Sequence, residues 1–393
     1  MANLTDWIAT NEGNQTSRVY DISDQVAILS SFKPLIFNMA MARFEPTMDV
    51  RFQWDEVDYS TAKTKINHIG GYSAGATEFV VDDASIFTDR DLVRNLRTEE
   101  VYQVTDINLG TNTITVVRHV GDTSGSVIND DDVVLIIGPG FEEASSTPDQ
   151  MAANTTTEYN YCQIFRRAWA ISGTRVRTLG TPGMHLEDLS ARKAEEFTRD
   201  VEYAFIFGKR DQDTSSFSKV RHTTNGLSNS ISTNVESVGG TLSESDWETF
   251  LVEKAFYKGS SEKVMICGDA YFKCLSKWGK QFLQTTLDVN TLGIHVSTYI
   301  APTGEILHLY NHPLFKGDAT LAGLGIVVDP SEIAARFTQN PLHPQLNGRI
   351  QFREQIQAPG ADGIINEYFA EIGLELRNEA KHAIIKGVTG PAT

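Results

Sequence analysis

The residues of this chain whose types could do chemistry are few and scattered. His308 and His312 stand four apart, a spacing that serves a metal when both lie on one helix face. Here they fall on a predicted strand ending at Pro313, where that offset is an awkward reach, and no third ligand or HExxH pattern accompanies them. A surface or turn role is the better reading. Asp130, Asp131 and Asp132, with Glu142 and Glu143, could hold a divalent cation. Consecutive carboxylates lack the alternating ligands and central glycine of an EF-hand loop, so a solvated acidic loop is favoured. Gly121-Asp-Thr-Ser-Gly125 looks superficially like a serine nucleophile loop, but its residue order differs and His119, on a hairpin strand, supplies no triad geometry. Gly323-Leu-Gly325 precedes a strand instead of following one, which does not support a dinucleotide phosphate loop. Cys267 and Cys274 straddle a strand–helix junction without a CxxC motif and read as buried apolar thiols. Arg166 and Arg167 beside Trp169 could stack on bases, yet neighbouring strand residues point to opposite faces, so no basic stripe follows. No enzyme signature survives, and neither a cofactor nor a metal is expected.

The bulk properties agree. A chain of 393 residues is long enough for two or three domains. Three scattered cysteines make no disulfide framework and point to a reducing compartment. The start, MANLTDWIATNEG, lacks the basic and apolar regions of a signal peptide, and no apolar run approaches the roughly 20 residues that span a bilayer. A net charge of −17 argues against a sequence-reading nucleic-acid binder. It leaves room for a protein that surrounds nucleic acid without gripping it. The charge is uneven: residues 71–148 hold 14 Asp and Glu against 4 Arg and no Lys, a net of −10. That segment reads as a separate unit facing solvent.

The elements that position these residues are led by Leu186–Gly208, LEDLSARKAEEFTRDVEYAFIFG. Apolar residues at Leu186, Leu189, Ala194, Phe197, Val201, Ala204 and Phe205 form one stripe on a helix of about six turns. Charged residues, Glu202 among them, take the other face. Thr181 and Pro182 can start the helix, and Gly208 can stop it by accepting a left-handed conformation. Upstream, residues 1–44 read as an extended arm with one short helix at Asp21–Ser31. Arg51–Tyr59 and Glu158–Val176 read as two long partner strands. Between them lie a short strand at Phe79–Val81, a hairpin of Glu100–Ile107 with Thr113–Val120, and an apolar strand Val133–Ile137. After the helix, residues 211–240 form a polar connection with weak structure. Ser245 then caps a helix running to about Tyr257, with Glu248 at the capping-box position. Strand Val264–Cys267, helix Ala270–Trp278, a hairpin of Gly293–Ile300 with Glu305–Tyr310, and strand Leu324–Val328 complete an α/β portion. Arg349–Gln357 and Ile372–Arg377 read as paired strands, and the tail from Lys381 as peripheral.

This order of elements resembles the Hong Kong 97-type fold of tailed-phage major capsid proteins, an α+β class. Three stretches are similar to the branch with a β insertion in its E-loop: RFQWDEV from Arg51, TEYNYCQIFRRAWAISGT from Thr157 and EFTRDVEYAFIFGKR from Glu196. The resemblance implies an N-arm at 1–45, an E-loop hairpin at 46–70 and 149–180, and the acidic insertion at 71–148. It further implies a P-domain at 181–225 and 346–393, with the spine helix at 186–208, and an A-domain at 226–345. Assembly contacts would then involve Leu189, Phe197, Val201 and Phe205 on the spine, with Trp54 and Trp169 on the E-loop strands. The implied protein is a major capsid subunit. It forms hexamers and pentamers of itself in a virion shell assembled in the host cytoplasm, enclosing double-stranded DNA without sequence-specific binding or a membrane. Only about 45 residues precede the hairpin, so a separate scaffolding protein is expected, with a portal and a decoration protein as further partners. Lys63, Lys65, Lys381 and Lys386 single out no crosslinking pair. Two alternatives stay open: an encapsulin-like cellular shell, and a β-rich carbohydrate-binding tail or fibre protein.

Overall fold

The computed structural model describes residues 34–57, 62–121, 125–143, 145, 155–177, 186–216, 218–278, 283–287, 295–339 and 350–392. Two compact units result: Asp55–Thr157, and the flanking chain Met1–Trp54 with Glu158–Thr393. The expected helix at Asp21–Ser31, the Thr181–Pro182 helix start and the Asp122–Ser124 part of the GDTSG loop lie outside the described residues.

The larger unit is α+β, as expected, and is organised by strand alternation. Its seven-stranded sheet runs Val235–Leu242, Ala383–Pro391, Gly325–Val328, Glu262–Cys267, Ile306–Asn311, His295–Ile300 and Leu283–Leu287. Successive side chains of a strand face opposite sides. Ile266, Ile326, Val328 and Ile384 therefore join one core, and Met265, Cys267, Val327, Ala383 and Ile385 join another. The second core is closed by helix Glu244–Phe250, the π-helical turn Leu251–Ala255 and helix Asp269–Trp278, through Trp247, Phe250, Leu251, Tyr271, Cys274 and Leu275. The first is closed by the long helix Leu186–Phe207 and by a five-stranded sheet. In that sheet Phe44–Thr47, Ile333–Thr338, Gly363–Leu376 and Gln163–Ser172 lie side by side, and Gln351–Arg353 also pairs with Gly363–Leu376. Phe44–Thr47 runs parallel to its neighbour, and the other pairings are antiparallel.

Several expectations need correction. Residues 35–42 are a helix with Ile36, Phe37 and Ala40 buried in the first core, instead of part of an extended arm. The long falling strand is two strands. Thr155–Tyr161 pairs with Arg51–Val57, and after Cys162 the strand Gln163–Ser172 pairs over its full length with Gly363–Leu376. The tail is not peripheral: Ala383–Pro391 lies inside the seven-stranded sheet, beside Val235–Leu242 from the supposedly weak connection. The strand assigned with the long helix thus completes the α/β sheet. The N-cap of helix Glu244–Phe250 is Ser243, whose hydroxyl accepts from the Asp246 N–H. Gly208 follows the long helix without the expected left-handed conformation, and glycine fits there because a Cβ would stand 2.3 Å from the Ala204 carbonyl and 2.5 Å from the Thr224 carbonyl. Strand Ile333–Thr338, unmarked in the sequence reading, is central to the smaller sheet.

The unit Asp55–Thr157 holds a six-stranded sheet ordered Lys63–Lys65, Val133–Pro139, Asp91–Asn95, Val101–Asn108, Thr113–Val117 and Glu78–Val80. Its two edges meet. Ile66 bridges Val81, the Asn67 N–H donates to Val80 O at 2.9 Å, and the Asp82 N–H donates to Lys65 O at 3.0 Å. Closure removes the exposed edges that an open sheet presents. Phe79, Val93, Tyr102, Val104, Ile114, Val116, Ile128 and Val134 fill the interior. The expected hairpin is present, with Asn108 opposite Thr113.

Candidate functional site

The long helix meets the five-stranded sheet through the stripe read in the sequence. Phe197 (1 % exposed), Val201 and Phe205 are buried, and Leu189 is half-buried. The Phe197 ring stands 6.4 Å from Phe165 and 6.2 Å from Tyr368, and the Ser190 and Tyr368 hydroxyls are 2.9 Å apart. Glu195 and Arg199 are half-buried, so the opposite face is only partly covered. Asp200 on that helix takes the fork of Arg167, with Nη2 donating to Oδ1 at 2.9 Å. Arg166, pointing the other way as alternation requires, donates to both carboxylate oxygens of Glu367 at 2.8 and 2.7 Å. Both arginines are thus engaged by carboxylates of their own chain while their side chains stay partly exposed. Trp169 is buried, stacked at 5.6 Å on Phe352 and 5.1 Å from Tyr368. Trp54 is half-buried and stacks at 5.9 Å on Phe52.

Glu202 departs from the expected polar face. It is fully buried, one position along from Val201, and receives four donors. Oε1 accepts from the N–H groups of Leu35 at 3.0 Å and Ile36 at 2.9 Å, and Oε2 from Phe37 at 2.6 Å. Those are the first three amides of helix Leu35–Ala42, whose own N-cap, Pro34, offers no side-chain acceptor. The helix dipole and its orphan N–H groups provide the counter-charge. His312 is the fourth partner, with Nε2 at 3.1 Å from Oε1. Its Nδ1 accepts from the Leu314 N–H at 3.2 Å, which leaves the proton on Nε2 to be donated. His312 is therefore buried and not at the surface, and it caps the Pro313–Phe315 turn as expected of a turn residue. His308 faces elsewhere, its Nε2 2.6 Å from Glu262. The two histidines share no ligand geometry. No group of three or more His, Cys, Asp or Glu among the described residues is placed to hold a metal.

Charges cluster again across the three neighbouring strands Phe44–Thr47, Ile333–Thr338 and Gly363–Leu376. Glu375 is fully buried and takes both Arg336 and Arg377, and Glu45 accepts from the same two arginines at 2.7 and 3.4 Å. In the α/β part the Lys263 ammonium is buried and donates to the carbonyls of Ala255, Lys258 and Lys381 at 2.7, 2.7 and 2.5 Å. Burial pulls its pKa down to about 8. Burial likewise pushes the Cys162 thiol up to about 12 and Cys274 to about 11, and raises Cys267, so these cysteines are inert packing residues.

The acidic run in the barrel unit is not simply solvated. Asp132 is buried and receives Arg97 through Nε at 2.6 Å and Nη2 at 2.7 Å, with Asn95 and the Asn129 N–H completing its partners. Burial opposes its charge, yet these donors hold its pKa below the ordinary range. Asp130 accepts from the His68 N–H at 2.8 Å, and Asp131 lies 3.4 Å from Lys65. Deeper in, Glu100 and Arg118 form a buried fork at 2.8 and 2.5 Å. The guanidinium also reaches the Ser73 and Ser126 carbonyls, and Ser126 N–H returns to Glu100. Burial again opposes the charge, and the Arg118 bond still leaves the Glu100 pKa lowered. None of this was legible as a run of carboxylates, because Arg97 lies 35 residues before Asp132 and Arg118 lies 18 residues after Glu100, each pair brought together by neighbouring strands of the sheet.

A family model described as SU10 major capsid protein matches residues 8–389. The major capsid protein of Pseudomonas phage PaMx41 is 24% identical over 276 residues, covering 65% of this chain and 64% of that protein, just under two thirds of the relative's length. Among solved structures, one of Mycobacterium phage Bobi aligns over 97% of this chain and 99% of its own, with 10% identity and a TM-score of 0.49. The capsid of a native GTA particle aligns over 98% and 100%, with 9% identity and a TM-score of 0.49. The holo-SrpI encapsulin complex from Synechococcus elongatus aligns over 61% and 80%, with 9% identity and a TM-score of 0.44.

Proposed function

This chain belongs to the SU10 major capsid protein family, and from that premise we propose that it is the subunit of an icosahedral phage head enclosing double-stranded DNA. The observation that carries the reading is the family match across residues 8–389. The order of described elements agrees with it: a paired-strand arm, a closed acidic barrel, a 22-residue helix laid on a sheet, and an α/β layer. A single copy also leaves apolar side chains uncovered on or beside its wall sheet: Phe44 (52 %), Ile164 (56 %), Phe352 (42 %) and Ile356 (43 %). Neighbouring copies would cover them.

In this reading the work is mechanical. The long helix and five-stranded sheet form the wall, corresponding to the P-domain. The seven-stranded α/β part is the A-domain, and the strands Arg51–Val57 and Thr155–Tyr161 begin an E-loop. Leu189, Phe197, Val201, Phe205 and Trp169 serve assembly by stiffening the wall, and Trp54 by stiffening the E-loop strands. The subunit would form hexamers and pentamers in a virion built in the host cytoplasm. Separate scaffolding, portal and decoration proteins would be its partners, and no catalytic step is required. A net charge of −17 keeps attraction to packaged DNA weak. An encapsulin-like shell remains the second reading, since it would share the element order.

Electron microscopy of the purified protein tests this directly. Closed shells with six- and five-fold units support the reading, and monomers or trimeric fibres reject it. Mass spectrometry and nuclease digestion of the particles then separate a DNA-filled head from a protein-filled encapsulin.

A further inference from the structure

The α/β part is covered on one face by the first core and on the other by two helices, whose outer surfaces carry opposite charges. Helix Glu244–Phe250 and the turn Leu251–Ala255 present Glu244, Glu248 and Glu253, with Val252 42 % exposed beside them. Glu248 and Val252, four apart, share one face by helical spacing, and Glu253 stands next to Val252 in the chain. Helix Asp269–Trp278 presents Lys273 and Lys277, four apart, beside a shallow depression lined by Asp269, Phe272, Lys273, Ser276 and Lys277. Among the described residues, Glu244, Glu248, Glu253 and Lys273 make no ion pair within the chain, whereas Lys254 on the same turn is occupied by Glu236. Lys277 donates to the Ala392 carbonyl at 2.6 Å and makes no ion pair among the described residues. Among the described residues, this leaves an acidic ridge with the exposed Val252 beside it, and a depression in which Lys273 and Lys277 flank Phe272 while Asp269 is taken by Asn311, with no ion pair between the two.

We propose that these two surfaces are the halves of one heterologous contact, with the acidic helix of one copy docking on the lysine helix of the next. Glu248 and Glu253 face Lys273 and Lys277, and Val252 enters the depression at Phe272. The proposal rests on the shell-forming reading and names the residues of one of its contacts. Such a contact, made of two different patches, propagates around a ring and closes when the rotation between copies allows. Charge complementarity across it sets register and excludes a like-on-like approach.

The test is charge reversal with restoration, using the full-length protein. Glu253→Lys and Lys273→Glu are each expected to raise the protein concentration needed for assembly about three- to tenfold, read by light scattering and electron microscopy. The double variant is expected to return to the wild-type value, because the pair is re-formed with reversed polarity. All three variants keep exposed positions exposed, so their melting curves before assembly should match wild type. If wild type assembles and the single reversals assemble at the wild-type concentration, the contact is refuted. It is equally refuted if the double variant assembles no better than the singles. If wild type forms no shells at all, the shell-forming reading itself fails, an outcome distinct from the other two.

Discussion

Replacing Glu202 by glutamine should be among the most damaging single-atom changes in the chain. The two side chains have nearly the same shape, so packing is preserved and only the acceptor chemistry changes. All four groups around the carboxylate are donors: three N–H groups of helix Leu35–Ala42, and Nε2–H of His312. An amide offers one acceptor oxygen and one NH2, so at least one donor must face another donor. If the amide oxygen takes the Oε1 position it keeps Leu35, Ile36 and His312, and its nitrogen confronts the Phe37 N–H. The reverse placement loses three partners. Hydrogen bonds to a charged group contribute about 1.5–3 kcal/mol each, and the helix-end charge effect adds up to about 2 kcal/mol in a buried setting. Glu202→Gln should therefore cost about 3 kcal/mol. Glu202→Ala, which leaves every donor unsatisfied, should cost about 3–5 kcal/mol. Against the 5–15 kcal/mol that typically separates native from unfolded states, either is a large loss. Urea unfolding of unassembled protein measures it. Native-state hydrogen exchange locates it, with residues 35–42 expected to lose protection before the seven-stranded sheet does. A Glu202→Gln protein with wild-type midpoint and wild-type protection at 35–42 would refute the argument.

Other consequences are as specific. Arg118→Ala leaves Glu100 buried without its fork and should destabilise the barrel by about 3–5 kcal/mol, seen as early loss of exchange protection across 91–117 while the long helix stays protected. His382 is buried and burial pulls its pKa down to about 4, so below its unfolded value near 6.5 only the unfolded chain gains the proton. Its neutral form then stabilises fully above that pH, and stability should fall by about 3 kcal/mol as pH drops from 6.5 to 4. His382→Gln should flatten that window in urea titrations at stepped pH. Cys162, Cys267 and Cys274 should resist a thiol reagent at neutral pH in the folded protein and react together once it is unfolded in denaturant. Rapid labelling of native protein would contradict their burial.

The parts legible in the sequence share one property, that their signal lies within a few residues. Phe197, Val201 and Phe205 repeat at helical spacing, and their burial follows. The Val101–Asn108 and Thr113–Val117 hairpin needs only alternation and a short polar loop. The helix Asp269–Trp278 and the strand Glu262–Cys267 were found to within two residues for the same reason. The order of such elements was enough to suggest a capsid subunit, and the acidic excess of residues 71–148 falls inside the compact unit Asp55–Thr157.

What only the tertiary structure decided is which distant segments pair. Ala383–Pro391 reads as a loose glycine-containing tail until Val235–Leu242 and Gly325–Val328 flank it. Closure of the barrel depends on Ile66 meeting Val81, a contact that neither strand announces. Glu202 looks like one more charge on a polar face. It is buried because a helix 166 residues earlier in the chain brings three unpaired amides to it. Periodicity reports how a segment would prefer to fold against some apolar surface, and contains no record of which surface that is. Long-range hydrogen bonding and buried charge are properties of pairs, so they exist only once the chain has brought both members together.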